Sequence, residues 1–527
     1  MTIPSGENST GDAPSDAPSD APSEAPSGAL PGTEPTHEPR ENPLRAEKRR
    51  KLEQLRAAGI DPYPHHYERT AVIQDLVKEF DEALVAGDQR ESSRYSIAGR
   101  LMTKRPMGKA AFFNLQDGSG TLQCYLRKEE ISTEDNIAFD LLDVGDIVGV
   151  EGFIFKTKKG ELSLHCKAFK MLCKTLEPLP EKYHGLADVE IKYRHRHLDL
   201  ITDAESREVF RKRSVVIAEM RSFLNRRGFL EVETPILQPI YGGAAAYPFS
   251  THHRALDMKL FLKISPELYL KRLVVGGFEK VYEIGKNFRN EGIDRSHNPE
   301  FTMLEWYEAY TDYFYQMKQF EELVSHLANI VNGSMKCMYQ GKELNFTPPW
   351  RRLTVIDGIK EYAGIDPTAM SEAELFQKAR VLGSDSEKPS SRGEMMMKIF
   401  ELAAEPHLFQ PTFVMDHPIE ISPLTKKHRK NPLLVERFEP FCAGMEIGNS
   451  YTELNDPVEQ LARLTEQEAK RLVDEEAQPM DEDFVHAIDT GMPPTGGVGL
   501  GIDRVVTILT DRPSIRDIIL FPTMKFK

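Results

Sequence analysis

The most regular alternation of apolar and polar side chains lies in Phe288–Tyr310, FRNEGIDRSHNPEFTMLEWYEAY, and predicts two strands joined by a polar loop. The loop covers 292–299, where the turn-forming residues are concentrated. Successive side chains of a strand point to opposite faces of a sheet. On the second strand one face carries Phe301, Met303, Glu305 and Tyr307, and the other carries Thr302, Leu304 and Trp306. We expect one face to be apolar and the other to carry chemistry.

Charged residues cluster at this predicted hairpin. Arg289 and Glu291 are two residues apart on the incoming strand, and Arg295 and His297 lie in the loop. A guanidinium for phosphate oxygens, a second cation at the loop and the aromatic ring of Phe301 suit a nucleoside triphosphate. An ordinary hairpin with solvated charges would explain any one of these residues. Their number on one face favours a binding site.

Short alternating segments follow one another between about residues 95 and 175, with turns at Asp117-Gly118 and Lys159-Gly160. About five strands in roughly eighty residues predict a small closed barrel of the oligonucleotide-binding kind. Three aromatic residues stand among basic ones here: Phe112, Phe113 and Tyr125, with Arg100, Lys104, Arg105 and Lys109. Such interleaving is typical of single-stranded nucleic-acid binding, although any one aromatic could be a core residue.

Helical periodicity predicts a basic helix over 44–58 and a long amphipathic helix that ends at Gly228. The apolar stripe of the first consists of Leu44, Leu52 and Leu55. Thr202 and Glu205 have the spacing of a capping box for the second. The basic helix is either a solvated surface or an RNA contact. The long helix, which runs into a strand stopped by Pro235, is either a core element or a subunit interface.

Another helix is predicted to begin at Ser265 and Pro266, which suit the cap and the first helical position. Glu267 then lies in the first turn, where it either satisfies helix-end amides or holds an amine. Residues 314–411 are interpreted as a mostly helical insertion without recognisable chemistry.

A second informative stretch is 436–456, ERFEPFCAGMEIGNSYTELND. If Ala443-Gly444 forms a tight hairpin turn, Phe441 pairs with Glu446, and Glu439 then projects from the same face as Glu446. Two neighbouring carboxylates repel each other, and a hard divalent cation that bridges to phosphates relieves the repulsion. The pair is therefore a candidate metal site.

Strict alternation would place the downstream residues Asn449, Tyr451 and Glu453 on the face opposite Glu446. We therefore expect a β-bulge near Gly448, which would bring these side chains to the site.

Glycines alternate along 496–504, GGVGLGIDR, and leave one strand face bare for a ligand: Gly497, Gly499 and Gly501. Their spacing matches neither the dinucleotide fingerprint nor the Walker loop. Arg504, at the predicted junction of strand and helix, could stack on a base while reaching phosphate.

Composition sets the broad class. At 527 residues the chain exceeds one ordinary core, so two or three domains are expected. We find neither an apolar run long enough to span a bilayer nor the pattern of a signal peptide, so we expect a cytoplasmic protein with no membrane partner. The five cysteines lack CxxC spacing, which indicates neither a disulfide framework nor a zinc site.

The formal net charge of -15 argues against a nucleic-acid partner, because binding to phosphates depends on clustered Lys and Arg. Residues 1–43, however, contain eight acidic side chains and one basic one, so this segment alone carries -8 + 1 = -7. Its DAPS repeat has almost nothing to bury, and we predict a disordered tail. The remainder is only mildly acidic.

Three stretches occur in the order of the class II aminoacyl-tRNA synthetase signatures: the helix and strand ending at Pro235, FRNEG with HNPEFTMLE, and GLGIDR. Over about 44–527 the chain resembles that family, and within it the lysine-specific enzymes. The resemblance implies an α+β fold with a five-stranded oligonucleotide-binding barrel that reads the anticodon (44–185). It also implies an antiparallel catalytic sheet flanked by helices (186–527), and a homodimer that uses the first signature.

The activity implied by the resemblance is a two-step ligation. L-lysine and ATP give lysyl-adenylate, and the lysyl group then passes to the terminal ribose of tRNA(Lys), with Mg²⁺ as cofactor. Two alternatives stay open: a paralogue that lysylates a protein, and a non-catalytic RNA-binding protein on the same scaffold. The barrel disfavours the first alternative, and intact Arg289, Glu439, Glu446 and Arg504 disfavour the second.

The resemblance also assigns roles to individual residues. For catalysis it implies Arg289, His297 and Arg504. For ATP it implies Arg289, Glu291, Arg295, His297, Phe301, Glu439, Glu446 and Arg504, with Glu439 and Glu446 as the magnesium ligands. For lysine it implies Gly243, Glu267, Arg289, Glu305, Tyr307, Asn449, Tyr451, Glu453 and Gly499. For the anticodon it implies Arg105, Phe112, Gln123 and Glu161.

Overall fold

The computed structural model describes residues 42–180, 188–385, 391–470 and 479–525. The predicted disordered tail, apart from its last two residues, lies outside these ranges. The chain divides into two compact units, residues 1–179 and 180–527. Among the described residues, no helix is both long and apolar enough to cross a membrane.

The first unit contains a barrel and three helices. The helices are α1 (Pro43–Ala57), α2 (Ile73–Phe80) and α3 (Thr133–Asp140). The strands are β1 (Tyr95–Met107), β2 (Ala110–Gln116), β3 (Thr121–Arg127), β4 (Ile147–Lys156) and β5 (Leu162–Cys173). They form a closed barrel in the order β1-β2-β3-β5-β4, which confirms the predicted five-stranded architecture.

The strand pattern explains the barrel core. Alternate residues of β2 and β3 point inward, so Phe113, Leu115 and Leu126 are fully buried in one apolar cluster. Phe113 is therefore a core residue and not a stacking surface. At the register shift between Glu151 and Gly152, the backbone of β5 approaches so closely that a Cβ at Gly152 would overlap the His165 carbonyl.

Helix α1 begins at Pro43, and the Asn42 side chain accepts a hydrogen bond from Leu44 N at 3.0 Å. Leu52 and Leu55 are buried as predicted, but Leu44 is 60% exposed. The apolar stripe is thus shorter than expected, because the first turn extends beyond the apolar cluster.

The second unit has eleven described helices and a large sheet. The helices are α4 (Val189–Arg194), α5 (Arg196–Thr202), α6 (Ala204–Asn225), α7 (Glu267–Val275), α8 (Tyr313–Asn332), α9 (Val355–Ala363), α10 (Glu372–Val381), α11 (Arg392–Ala403), α12 (Pro457–Lys470), α13 (Glu482–Thr490) and α14 (Ile502–Leu509).

Its strands begin with β6 (Leu230–Glu231), β7 (Leu237–Gln238), β8 (Ser250–His253), β9 (Met258–Leu262), β10 (Lys280–Phe288), β11 (Glu300–Ala309), β12 (Lys336–Tyr339) and β13 (Lys342–Asn345). They continue with β14 (Arg351–Thr354), β15 (Thr412–Met415), β16 (Arg437–Cys442), β17 (Met445–Glu446), β18 (Gly448–Thr452) and β19 (Thr495–Gly501).

The large sheet has the order β14-β15-β16-β18-β19-β11-β10-β6, and β17 pairs with β16. Its central pairs are antiparallel, as predicted. The outer pairs β14 with β15 and β6 with β10 are parallel, so the sheet is mixed. The α+β class is confirmed.

Helix α6 has a different cap from the one predicted. Thr202 ends α5, and Asp203 caps α6 by accepting hydrogen bonds from Glu205 N at 2.9 Å and Ser206 N at 3.2 Å. The prediction that Thr202 and Glu205 form a capping box is wrong, because Asp203 is itself a strong N-cap residue and stands one residue closer to the helix. The strand expected after Gly228 is reduced to the two residues of β6.

The apolar face of β11 and helix α8 share one core. Leu304 and Trp306 are fully buried and belong to the same cluster as Phe320 and Leu323 of α8. Helices α9 to α11 form a separate cluster around Phe400. Within the predicted insertion, therefore, α8 packs under the central sheet, whereas α9 to α11 form a second core that includes Val414 of β15 and Phe441 of β16.

Candidate active site

A cavity of about 600 Å³ opens on the polar face of the central sheet. It is lined by every residue predicted for ATP and lysine except Arg295, which is exposed, and Glu453, which is buried. The predicted residues that line it are Gly243, Glu267, Arg289, Glu291, His297, Phe301, Glu305, Tyr307, Glu439, Glu446, Asn449, Tyr451, Gly499 and Arg504. Segments far apart in the sequence thus meet in one space.

The glycine face of β19 lies between the strands that carry the pocket side chains. Gly499 is the register partner of both Glu305 on β11 and Asn449 on β18. A Cβ at Gly499 would lie 3.7 Å from Glu305 Cγ, so the bare backbone leaves room beside this carboxylate. At Gly497 the Glu453 carboxylate already fills the space that a side chain would take. The glycine face predicted to be open to a ligand therefore extends over only part of β19.

The turn between β16 and β17 has the predicted form. Ala443 and Gly444 both have positive φ, at 56° and 72°, as a two-residue hairpin turn requires. Phe441 pairs with Glu446, so Glu439 and Glu446 project from the same face, and both predictions are confirmed.

The expected β-bulge is present next to this turn. The pairing passes from Phe441 with Glu446 to Phe438 with Ser450, which leaves one extra residue on the second strand. Ile447 N bonds to Pro440 O at 2.8 Å inside this irregular step. The bulge brings Asn449 and Tyr451 to the cavity together with Glu446.

The two carboxylates fit a divalent cation. Burial, and then the neighbouring Glu439 carboxylate, raise the pKa of Glu446, so a cation between them would relieve a real repulsion. The described residues contain no cluster of three or more potential metal ligands. Mg²⁺ characteristically takes one or two carboxylates and completes its shell with phosphate oxygens and water, and the donor set matches that habit.

Four cationic or aromatic groups line the phosphate side of the cavity: Arg289, His297, Phe301 and Arg504. The Arg289 guanidinium lies 5.1 Å from the centre of the Phe301 ring. Arg504 donates to Glu446 O at 2.6 Å, and its Nη2 is 3.2 Å from His297 Nε2. Asp294 Oδ2 lies 2.8 Å from His297 Nδ1 and orients the imidazole. Arg289 Nε is buried and has no hydrogen-bond partner within the described part of the chain, which leaves a donor for a ligand.

Glu305 lies at the inner end of the cavity, 4% exposed. Its two carboxylate oxygens accept hydrogen bonds from Ser265 Oγ at 2.9 Å and from Tyr307 OH at 3.2 Å. Burial, and then the nearby Glu267 carboxylate, raise the pKa of Glu305 to about 8. Such a carboxyl group holds a proton in an empty pocket and would ionise beside an ammonium.

Glu453 is fully buried, and Lys271 lies between it and Glu267. Burial, only partly offset by Lys271, raises the pKa of Glu453. Sequence reasoning missed Lys271, although it stands four residues after Glu267 on a predicted helix and hence on the same face.

Arg437 is the other residue that sequence reasoning missed. It donates to Glu439 Oε1 at 2.5 Å, to Asn449 Oδ1 at 3.1 Å and to Ser422 Oγ at 3.0 Å. Asn449 in turn donates to Tyr451 OH at 2.7 Å. One guanidinium therefore connects the candidate metal site with the predicted amino-acid pocket. Its position two residues before Glu439 on a strand was the available signal.

The barrel presents a second candidate surface. Phe112 and Tyr125 are cross-strand partners with ring centres 4.8 Å apart, and Arg105 is the partner of Phe112 on the other side. Gln123 donates to Ser163 Oγ at 2.8 Å, and Glu161 is exposed at the start of β5. Arg105, Phe112 and Gln123 thus lie on adjacent strands of the barrel, and Glu161 directly precedes β5.

Aromatic residues that the sequence did not single out extend this surface. The His165 ring lies 5.2 Å from that of Tyr125 and 5.9 Å from that of Phe155. They went unnoticed because the pairing of β3 with β5 brings His165 to Tyr125 and the pairing of β4 with β5 brings it near Phe155, and alternation along one strand cannot reveal such pairings.

Comparison with known proteins agrees with both units. Residues 95–172 match the oligonucleotide-binding-fold nucleic acid binding domain, and residues 188–525 match the class II tRNA synthetases (D, K and N). The lysine–tRNA ligase of Syntrophomonas wolfei subsp. wolfei is 51% identical, over 90% of this chain and 95% of its own length. Those of Moorella thermoacetica and Methanoculleus marisnigri are 50% and 52% identical, over 92% and 90% of this chain and 98% and 94% of their own. The chain therefore belongs to the class II tRNA synthetases of the D, K and N group, and it is an aminoacyl-tRNA ligase.

Proposed function

We propose that the chain is a lysine–tRNA ligase that activates L-lysine with ATP and transfers the lysyl group to tRNA(Lys). The single observation that carries this proposal is the meeting of Glu267 and Glu305 at the inner end of a cavity whose other side presents Arg289. Fixed carboxylates in a water-poor pocket select a cationic amino acid. The similarity to lysine–tRNA ligases supports the same substrate.

In the first step, a lysine carboxylate oxygen attacks the α-phosphorus of ATP, and the bond from that phosphorus to the bridging oxygen of pyrophosphate breaks. Lysyl-adenylate and pyrophosphate result. Arg289 binds the α-phosphate and the lysine carboxylate. His297 and Arg295 bind the outer phosphates, and Arg504 lies against adenine on the side opposite Phe301. No side chain has to remove a proton, because the attacking carboxylate is already ionised.

Glu439 and Glu446 would hold Mg²⁺. When bound, the cation would neutralise part of the negative charge on the phosphates. Glu291 and Arg295 complete the proposed ATP contacts at the rim. Phe301 offers an aromatic face to adenine, and the Arg289 guanidinium lies 5.1 Å from the centre of its ring.

The amino-acid pocket would place the two ammonium groups of lysine among Glu267, Glu305 and Glu453. Tyr307, Asn449 and Tyr451 then provide the walls, and the backbone at Gly243 and Gly499 provides space. Gly243 has a φ of 84°, and a Cβ there would lie 2.9 Å from Glu267 Cβ, so only glycine fits beside this carboxylate.

In the second step, the terminal ribose hydroxyl of the tRNA attacks the lysyl carbonyl, and AMP leaves. We propose residues 44–185 as the anticodon-binding domain, with Arg105, Phe112, Gln123 and Glu161 as contacts, and residues 186–527 as the catalytic domain. Stacking on Phe112 and Tyr125 suits unpaired anticodon bases. The cytoplasmic location expected from the sequence remains a prediction.

We also propose a homodimer that is formed through the first signature. Large apolar side chains of α6 and of the segment after it are exposed in the single chain, between 44% and 47% of their surface: Val215, Leu230, Ile236 and Leu237. A second copy that covers them would remove this apolar surface from water.

The proposal is tested by aminoacylation of purified tRNA with labelled lysine. We expect lysine-dependent and ATP-dependent charging of tRNA(Lys). Transfer to a protein acceptor with no charging of tRNA would favour the protein-lysylating alternative, and RNA binding without adenylate formation would favour the non-catalytic one.

A further inference from the structure

Lys271 is an internal cation at the inner end of the active-site cavity. It lies one helical turn after Glu267 on α7, and its side chain is completely buried. Its Nζ atom lies 2.6 Å from Glu267 Oε1 and 2.6 Å from Glu453 Oε2. Two of the three carboxylates proposed to hold the substrate therefore already share an ammonium of the protein.

The third carboxylate has no cationic partner of its own. Glu305 is held by the hydroxyl groups of Ser265 and Tyr307, which are neutral donors. Among the described residues, neither carboxylate oxygen of Glu453 has a hydrogen-bond partner, although Oε2 lies 2.6 Å from Lys271 Nζ in an ion pair. Glu453 Oε1 and the remaining lone pairs of the Glu305 carboxylate can therefore accept hydrogen bonds from a further ammonium group.

The charges then balance in a simple way. Three carboxylates and one internal ammonium leave two negative charges at the inner end of the cavity. Free lysine carries two ammonium groups at neutral pH, and its carboxylate is assigned to Arg289. A pocket with all three carboxylates and no internal cation would carry one negative charge more than this ligand can neutralise.

We propose that Lys271 is a positioning residue for the amino-acid substrate: its buried ammonium cancels one of three carboxylate charges and leaves two for the two ammonium groups of lysine. This inference rests on the proposed function. In this role Lys271 sets the net charge of the pocket and orients Glu267 and Glu453. Lys271 does not contact the reacting atoms. Lysine binding then displaces protons that the empty pocket holds on its uncompensated carboxyl groups.

The electrostatics of the surrounding groups agree with this assignment. Although burial alone would lower it, the carboxylates of Glu267 and Glu453 raise the pKa of Lys271, which therefore stays charged. The other ionisable groups that act on the pocket carboxylates and tyrosines come from β10, β11, β16 and β18 and from the segment after β10: Glu283, Arg289, Tyr307, Arg437, Glu439 and Tyr451. Arg437 is held by Glu439, and Arg289 faces the phosphate side.

The test compares Lys271→Met with Lys174→Met in the full chain. Lys174 is a matched control, because it is equally buried and its Nζ lies between two carboxylates, Asp143 and Asp146, but it belongs to the barrel unit. The measurement is lysine-dependent exchange of pyrophosphate into ATP, with thermal unfolding of each variant alongside. Both variants lose a buried ion pair, so both are expected to unfold at lower temperature.

Only Lys271→Met should change the use of lysine. We expect its KM for lysine to rise at least about 10-fold at pH 7, with KM for ATP and kcat changed less than about 2-fold, because Glu267 and Glu453 lose the ammonium group that orients them. Lys174→Met should keep the lysine KM of the wild type.

Equal lysine KM values in the two variants, or a lower lysine KM in Lys271→Met, would overturn the inference. Lys271→Arg keeps the charge and should keep the lysine KM within about 3-fold; a rise as large as that of Lys271→Met would also overturn it. If Lys271→Met does not fold, the test is calorimetry of lysine binding to the wild type in two buffers of different ionisation enthalpy, which gives the number of protons released on binding. Proton release near pH 7 supports the inference, and the absence of proton release contradicts it. A wild-type chain that fails to activate lysine would instead refute the proposed function.

Discussion

Arg437 and Glu439, two residues apart on β16, form an ion pair in which Nη2 lies 2.5 Å from Oε1. The same guanidinium donates to Asn449, so the carboxylate proposed for Mg²⁺ and the wall of the amino-acid pocket are held by one side chain. The guanidinium presents donors on three nitrogen atoms in a fixed plane and so holds Glu439, Asn449 and Ser422 in different directions, an arrangement that the single nitrogen of an ammonium does not reproduce.

Arg437→Lys should therefore impair both substrates together. We expect KM for lysine and the Mg²⁺ concentration for half-maximal exchange each to rise about 10-fold, as is typical when a residue that orients a metal ligand is changed. The measurement is pyrophosphate exchange at varied lysine and varied Mg²⁺. A rise in one requirement alone would show that Arg437 does not link the two sites.

Arg289→Ala should abolish lysine-dependent exchange, with a loss of about 100-fold or more in kcat, as expected when a donor to a developing negative charge is removed. Arg254→Ala is a suitable control because Arg254 is exposed and does not line the cavity. Exchange that persists in Arg289→Ala would refute the role assigned to this arginine.

Glu453→Gln should raise the KM for lysine much more than the KM for ATP, because the substitution removes a pocket charge and leaves the phosphate side unchanged. The ratio of the two KM values, measured by exchange, reports this separation. Equal losses for both substrates would exclude Glu453 from the amino-acid pocket.

Glycine is required at one position of β19 more than at another. A Cβ at Gly497 would overlap the Glu453 carboxylate and the Tyr307 ring, whereas a Cβ at Gly501 would meet nothing closer than 3.7 Å. Gly497→Ala should therefore lower the unfolding temperature and raise the KM for lysine, because the pocket wall must shift. Gly501→Ala is the matched control and should change both quantities little. Similar behaviour of the two variants would contradict the packing described.

The raised pKa of Glu305 predicts how stability depends on pH. Between its ordinary value of 4.5 and about 8 the folded chain holds a proton that the unfolded chain releases. The unfolding free energy of the ligand-free chain should therefore fall as the pH rises through this window, by up to about 1.4 kcal/mol per pH unit. The contribution is fully present below pH 4.5 and lost above pH 8.

Urea unfolding of the wild type and of Glu305→Gln at pH 6 and pH 8 measures this effect. Because glutamine mimics the protonated carboxyl group, we expect a smaller fall in the variant. Parallel falls in the two proteins would show that Glu305 is not the group responsible.

The local sequence pattern was sufficient to predict much of the active site. Alternation along β11 separated Trp306 from Glu305, and the turn at Ala443-Gly444 fixed the pairing of Phe441 with Glu446. These features depend on contacts close in sequence, which period and turn chemistry specify.

Other features depend on the tertiary structure. Lys271 reaches Glu453 across 182 positions of the sequence, and no periodicity reveals such a pair. The parallel edges of the central sheet likewise arise from long connections. The misplaced cap of α6 had a different cause, because two acceptable caps, Thr202 and Asp203, stand next to each other.

Exchange of pyrophosphate into ATP, with each standard amino acid supplied in turn, tests most directly whether the acidic inner end of the cavity selects the substrate. We expect exchange with lysine to exceed that with every other amino acid. Exchange driven best by aspartate or asparagine, or by none of them, would contradict this account.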